Sequence, residues 1–160
     1  MSERVPGALL TSPAGLLSAA LIVVNDVWLK RHHPGLLSGK LSDVGLCVFL
    51  PLFVLAIIEW TEVARCLLVL AVNGTPPSKV PVARLQALAC FVAGAYFVAV
   101  KCWPAATAAH IQWVNAFAPG WRAHAVTDPS DLVCLPAIAL AWWTMTRASA
   151  VHGVRKTPVS

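Results

Sequence analysis

Four stretches of this chain hold so few polar side chains that water is a poor solvent for them, and they decide what it can fold into. They are AGLLSAALIVVNDVW from Ala14 to Trp28, the segment Val44 to Trp60 with its core CVFLPLFVLAIIEW, VARLQALACFVAGAYFVAVKCW from Val82 to Trp103, and LVCLPAIALAWWTM from Leu132 to Met145. Each approaches the ~20 residues with which a helix crosses a bilayer core. The fourth is the shortest and must borrow turns from its flanks. Hydrophobic residues make up 58% of the 160 and charged residues 12%, against roughly 25% charged in average soluble domains. A soluble domain this small has more surface to cover per residue than a large one, so it needs more polar side chains. The pattern predicts an all-α, multi-pass membrane protein: a four-helix transmembrane bundle in the cell membrane, with membrane lipids as its first partners.

Tryptophans mark the ends of these runs. Trp28, Trp60 and Trp103 each close one, and Trp142 and Trp143 approach the end of the fourth. An indole has a large apolar body and one N–H donor, which suits the headgroup level of a bilayer. The N-terminal run imitates a signal peptide, but its only early base, Arg4, stands beside Glu3, and the apolar run passes through NDVW without a small-residue cleavage site. A retained first span is therefore expected. Beyond the second run, TEVARCLLVLAV is amphipathic and ends at Asn73-Gly74 before the break GTPPSKVP. This region reads either as one helix bent at Pro51 or as a span followed by an interfacial piece. Residues 1–150 make up the transmembrane domain, and 151–160 a basic, mobile tail.

The net charge of +5 comes from bases scattered in ones and twos, with no groove or interleaved aromatics, so no nucleic-acid partner is expected. With four spans, Arg4, Arg65, Lys79, Arg84, Arg147, Arg155 and Lys156 share a side. Lys30, Arg31, Lys40, Lys101 and Arg122 lie opposite, and the excess of bases puts both termini in the cytoplasm. The five cysteines, Cys47, Cys66, Cys90, Cys102 and Cys134, are odd in number and lack metal-knuckle spacing. Most lie in apolar runs, where a thiol is a small hydrophobe.

Against this background the polar residues at the run boundaries stand out. NDVWLK (Asn25, Asp26, Lys30) ends the first run, SGKLSD (Ser38, Lys40, Ser42, Asp43) opens the second, and TDPSD (Thr127, Asp128, Ser130, Asp131) opens the fourth. An even number of crossings puts these three ends on one face. Singly, each has a structural reading. Ser42 or Asp43 can cap a helix. Asp128 reads as an N-cap with Pro129 at the first helical position, and the lysines can snorkel toward headgroups. Asp26 is different: it lies inside an apolar run, i,i+4 from Lys30, and a carboxylate there is costly unless paired.

Together Asp26, Lys30, Lys40, Ser42, Asp43, Asp128 and Asp131 form a candidate ligand or ion site. Asp43, Asp128 and Asp131 are candidate ligands for a divalent cation, the one cofactor considered. His32, His33, His110 and His124 lie in loops of the same face but match no metal-binding spacing. No nucleophile–base pair is legible. Three functions follow. The site can bind or pass a small charged species, it can serve a metal-dependent membrane enzyme acting on a lipid or phosphate substrate, or the protein is a structural or accessory subunit. The partner in the last case is a second copy or another membrane subunit. AATAAHIQWVNAFA, between the third and fourth runs, is expected to form a short interfacial helix, with Ile111, Val114 and Phe117 on its apolar side.

Overall fold

The computed structural model describes residues 5–33, 35–78, 80–117 and 125–154, and among them every regular element is helical. Four of its helical stretches are long and apolar enough to cross a membrane: Pro13–His32, Ser38–Asn73, Val82–Cys102 and Pro129–Ala150.

The first begins as α1 (Pro13–Val24). Ser12 caps it by accepting from the Gly15 N–H at 3.2 Å, and Pro13 occupies the first helical position, where a missing N–H costs nothing. Residues before it turn back over the bundle. A side chain at Gly15 would sit 2.4 Å from the Leu10 carbonyl oxygen, so only glycine lets these turns close. Leu9 is thereby buried in the core, and the Gly7 N–H donates to Glu59 at 2.8 Å. At Asn25 the helix widens into a π-turn (Asn25–Leu29) before a short α2 (Lys30–His32).

The second stretch is one continuous helix, α3 (Leu36–Asn73). Of the two readings of this region, a single helix is the one found. Pro51 withdraws one N–H from the ladder but does not end it. At ~1.5 Å per residue α3 is about 57 Å long, nearly twice a bilayer core. Gly74, with φ of 70°, terminates it in the left-handed conformation and donates to the Leu70 carbonyl at 2.9 Å. α1 approaches α3 most closely at Gly45, where a Cβ would lie 2.9 Å from Ile22.

α4 (Val82–Cys102) runs back beside α3, and α5 (Pro104–Phe117) follows after a single residue. The predicted helix between the third and fourth runs is therefore present and starts earlier than its apolar core suggests. Thr107 anchors it: its hydroxyl donates to the Val100 carbonyl and meets the Thr127 hydroxyl at 2.9 Å.

The fourth stretch starts where TDPSD predicts, with Asp128 as N-cap, but its first nine residues, Pro129–Ala137, wind as a 3₁₀-helix. Runs of that winding longer than 3–4 residues are uncommon. Pro136, which has no N–H to make the α-helical bond to residue 132, lies within it. The tighter winding rises ~2.0 Å per residue instead of ~1.5 Å, which lengthens the shortest run. α6 (Ile138–Val154) completes it and passes the expected start of the tail at residue 151. Residues 155–160 lie outside the described part.

The core joins the N-terminal turns to α3, α4 and α6. Leu9, Val48, Leu52, Leu55, Ala89, Ala141 and Met145 form its main cluster. Buried Gln86 ties α4 to α6 by donating to the Met145 carbonyl at 3.1 Å and the Ser149 hydroxyl at 2.9 Å. The outer faces stay apolar: Leu17 is 71% and Phe91 73% exposed.

Candidate functional site

The polar residues gather at the end of the bundle formed by the π-turn, the start of α3, the end of α4 and the 3₁₀ segment. They make two networks rather than one.

The larger network is a chain of alternating charge. The Lys101 ammonium, from α4, lies 2.8 Å from Asp43 of α3 and 2.7 Å from Asp131 of the 3₁₀ segment. The other oxygen of Asp131 holds Lys40 at 3.0 Å, and Lys40 also donates to the hydroxyl and carbonyl of Ser130 at 3.0 and 3.2 Å. Two carboxylates face two ammoniums, so the formal sum is zero. Asp43 and Asp131 are each 9% exposed. The chain runs from that sheltered pair to Ser130 at the surface.

One turn deeper along each element lie Cys47, Phe97 and Cys134, the residues i+4 from Asp43, i−4 from Lys101 and i+3 from Asp131. They form a buried apolar cluster that floors the network. The Phe97 ring lies 5.7 Å below the Lys101 ammonium, within cation–π range. Few water molecules can reach such a floor, so each charge depends on its partner. Removing one partner of a buried pair costs about 3–5 kcal/mol.

The second network joins α1 to α3. Lys30 pairs with Asp26 at 2.7 Å, as the i,i+4 spacing predicts, and Ser42 donates to the same carboxylate oxygen. Asn25 reaches across the interface. Its amide nitrogen donates to the Ser38 carbonyl and to the Ser42 hydroxyl, each at 2.6 Å. Asn25 is 1% exposed, yet its carbonyl oxygen has no hydrogen-bond partner among the described residues. A buried acceptor left so costs about 1–3 kcal/mol.

The seven residues singled out in the sequence thus divide three ways. Lys40, Asp43 and Asp131 meet. Asp26, Lys30 and Ser42 meet separately. Asp128 joins neither, because its carboxylate caps the 3₁₀ segment by accepting from the Ser130 N–H at 2.9 Å. Asp43, Asp128 and Asp131 therefore do not close around one point. Among the described residues no three His, Cys, Asp or Glu side chains are grouped so as to hold a metal ion. His32 turns to its own helix and donates to the Trp28 carbonyl at 2.8 Å, and His124 lies outside the described residues. His110 of α5 is hydrogen-bonded to Tyr96 of α4. Burial holds its imidazole below the usual pKa, and the Lys101 ammonium pushes it the same way.

Lys101, the centre of the larger network, is the residue that sequence reasoning missed. It was visible as a base just inside the Trp103 boundary, and the even number of crossings puts the end of the third run on the same face as the other three ends. Its partners lie 58 and 30 residues away, beyond any local signal.

Fold and site together define an all-helical chain with four helices able to cross a membrane and a self-paired charge network at one end. No protein-family model, curated protein or solved structure matches the chain.

Proposed function

We propose that this is a multi-pass protein of the cell membrane, a four-helix transmembrane bundle with α5 lying along one interface, which binds or passes a small charged species through the network centred on Lys101. Two belts of charge support the span. On α3, Asp43 and Glu59 bracket an uncharged stretch, with the Glu62–Arg65 pair one turn beyond. The 16 steps from Asp43 to Glu59 rise about 24 Å and the 19 to Glu62 about 28 Å, close to the ~30 Å hydrocarbon core.

The observation that carries the function is the alternating chain Asp43–Lys101–Asp131–Lys40. Apolar side chains of similar volume stabilise a bundle as well as or better than a sheltered ion pair, so stability alone is a weak reason to keep four charges there. Ionisable groups that membrane segments turn toward the bundle interior are costly to keep and are candidates for function. A proton or cation arriving from the Ser130 side can compete with the ammoniums for the two carboxylates, as far in as Asp43 above the apolar floor.

The test is flux into proteoliposomes, followed with a pH dye and a cation dye, for the wild type and Lys101→Met. Flux in the wild type that Lys101→Met abolishes supports the reading. Wild-type liposomes as tight as empty ones overturn passage and leave binding alone to be tested by melting.

The complete mutual pairing of these charges favours a second reading, a structural or accessory subunit whose helices the network locks in register. α3 supports a partner for it. Past Arg65 it continues with Leu67, Leu68, Leu70 and Val72 exposed, and a helix this apolar all round is ordinarily covered.

A further inference from the structure

We infer that the π-turn of the first span forms a seat for a hard monovalent cation of the Na⁺ or K⁺ class, built from the Asn25 side-chain oxygen, the Asp26 carboxylate and the Ser42 hydroxyl oxygen. The inference rests on the reading of the bundle end as a place where small charged species bind, and adds a seat in the network separate from Lys101. Asn25 is 1% exposed and both its N–H groups are spent, on the Ser38 carbonyl and the Ser42 hydroxyl. Its oxygen, with no partner, is the one buried side-chain polar atom so left among the described residues. The groups that its amide nitrogen meets are acceptors, the Ser38 carbonyl and the Ser42 oxygen, and Ser42 gives its own proton to Asp26. The full positive charge in that cluster comes from Lys30.

The donor atoms select the class. They are all oxygens, the preference of hard cations, and a single carboxylate balances one positive charge rather than two. The winding points the same way, since single π-turns in α-helices recur at functional sites. In the structure the positive charge is supplied by Lys30, whose ammonium lies 2.7 Å from Asp26 on a side chain that is 43% exposed. A flexible, partly exposed lysine can leave toward the headgroup level when a cation arrives. Lys30 thus acts as a tethered competitor for the seat, occupying Asp26 while the seat is empty.

Competition gives the test opposite signs at neighbouring residues. The purified protein in detergent is melted in NaCl, KCl and choline chloride at one ionic strength, as wild type, Asn25→Leu and Lys30→Gln. Wild type is expected to melt higher in Na⁺ or K⁺ than in choline. Asn25→Leu should lose that difference, and Lys30→Gln should reach it at a cation concentration lower by about twofold or more, the worth of an exposed i,i+4 pair. Equal melting in all three salts overturns the seat, as does an alkali-cation response that survives in Asn25→Leu. If Asn25→Leu does not fold, Lys30→Gln decides, and an unshifted midpoint overturns the seat. Cation-dependent melting without flux leaves the seat standing and removes the passage reading. Flux without cation-dependent melting removes the seat alone.

Discussion

Replacing Lys101 with methionine keeps most of the side-chain volume over Phe97 and removes only the ammonium. The wild-type contacts are at 2.7 and 2.8 Å, and Lys101, Asp43 and Asp131 expose only 12–13% of their side chains. At an effective dielectric of about 20, a pair at 2.8 Å attracts by about 6 kcal/mol before desolvation is counted. Asp131 keeps Lys40 in the variant. Asp43 keeps no ion pair among the described residues and faces a second carboxylate. The single substitution should therefore cost about 3–5 kcal/mol, the range for a sheltered charge stripped of its partner. Lys101→Met combined with Asp43→Asn removes the orphaned charge as well, so the double variant should recover most of that loss. Asp26→Asn, in the other network, should add to Lys101→Met within about 0.5 kcal/mol. The assay is reversible unfolding in mixed micelles, run as two double-mutant cycles. A loss under 1 kcal/mol would mean that the network behaves as an exposed surface pair, and additivity between Lys101 and Asp43 would refute the chain of charges itself.

Two further outcomes follow from geometry at other points. Gly45→Ala puts a methyl group 2.9 Å from Ile22 and 3.2 Å from the Ser18 carbonyl oxygen, whereas Gly39→Ala on the same helix meets nothing within 4 Å. The first should destabilise by about 1–3 kcal/mol through overpacking, and the second should stabilise by about 0.5–1 kcal/mol through helix propensity; equal effects in a melting comparison would show that α1 does not press on α3 at Gly45. His110, with its pKa lowered by burial and by Lys101, favours the neutral imidazole in the folded state. Its contribution to stability is present above the unfolded value of ~6.5 and is lost as pH falls through the lower folded value. His110→Gln should reduce the drop in melting temperature between neutral and mildly acidic pH, and an undiminished drop would assign the acid sensitivity to other groups.

The parts of this fold legible in the sequence are those with a local cause. Apolar runs of near-spanning length led to four helices, Asp128-Pro129 marked one start, and Asn73-Gly74 marked an end. Asp26 and Lys30 meet because i and i+4 share a helix face. What stayed hidden depends on register between segments. Pairing Asp43 with Lys101 requires α3 and α4 to be aligned to within a turn across a sequence separation of 58, and nothing local states that alignment. The π-turn is hidden for a similar reason. VVNDVWLK contains no glycine or proline to announce a change of winding, and the extra residue falls where Asn25 bonds across to Ser38 and Ser42. Grouping Asp128 with Asp131 was sound as chain proximity, but a cap and a network member point different ways from one short helix.

The irregular windings and the most sheltered charges, Asp43 and Asp131, occupy the same end of the bundle, and one physical demand connects them. Regular α-helices place side chains at fixed steps of 1.5 Å and 100°, which rarely brings charges from several segments to common points. At this end the first span is widened by one π-turn and the fourth is stretched by nine residues of 3₁₀-helix. The first adjustment accompanies Asn25 at Ser38 and Ser42, and the second carries Asp131 to Lys101 while Asp128 still caps the start. At the other end, where Gln86 suffices to join α4 to α6, both helices are regular. The departures from α geometry therefore fall where ionisable groups must find partners or be left bare. A protein selected for packing alone has a simpler solution, apolar residues on regular helices. That the described residues depart from regular winding beside their most sheltered charges is the strongest physical reason to look for function there.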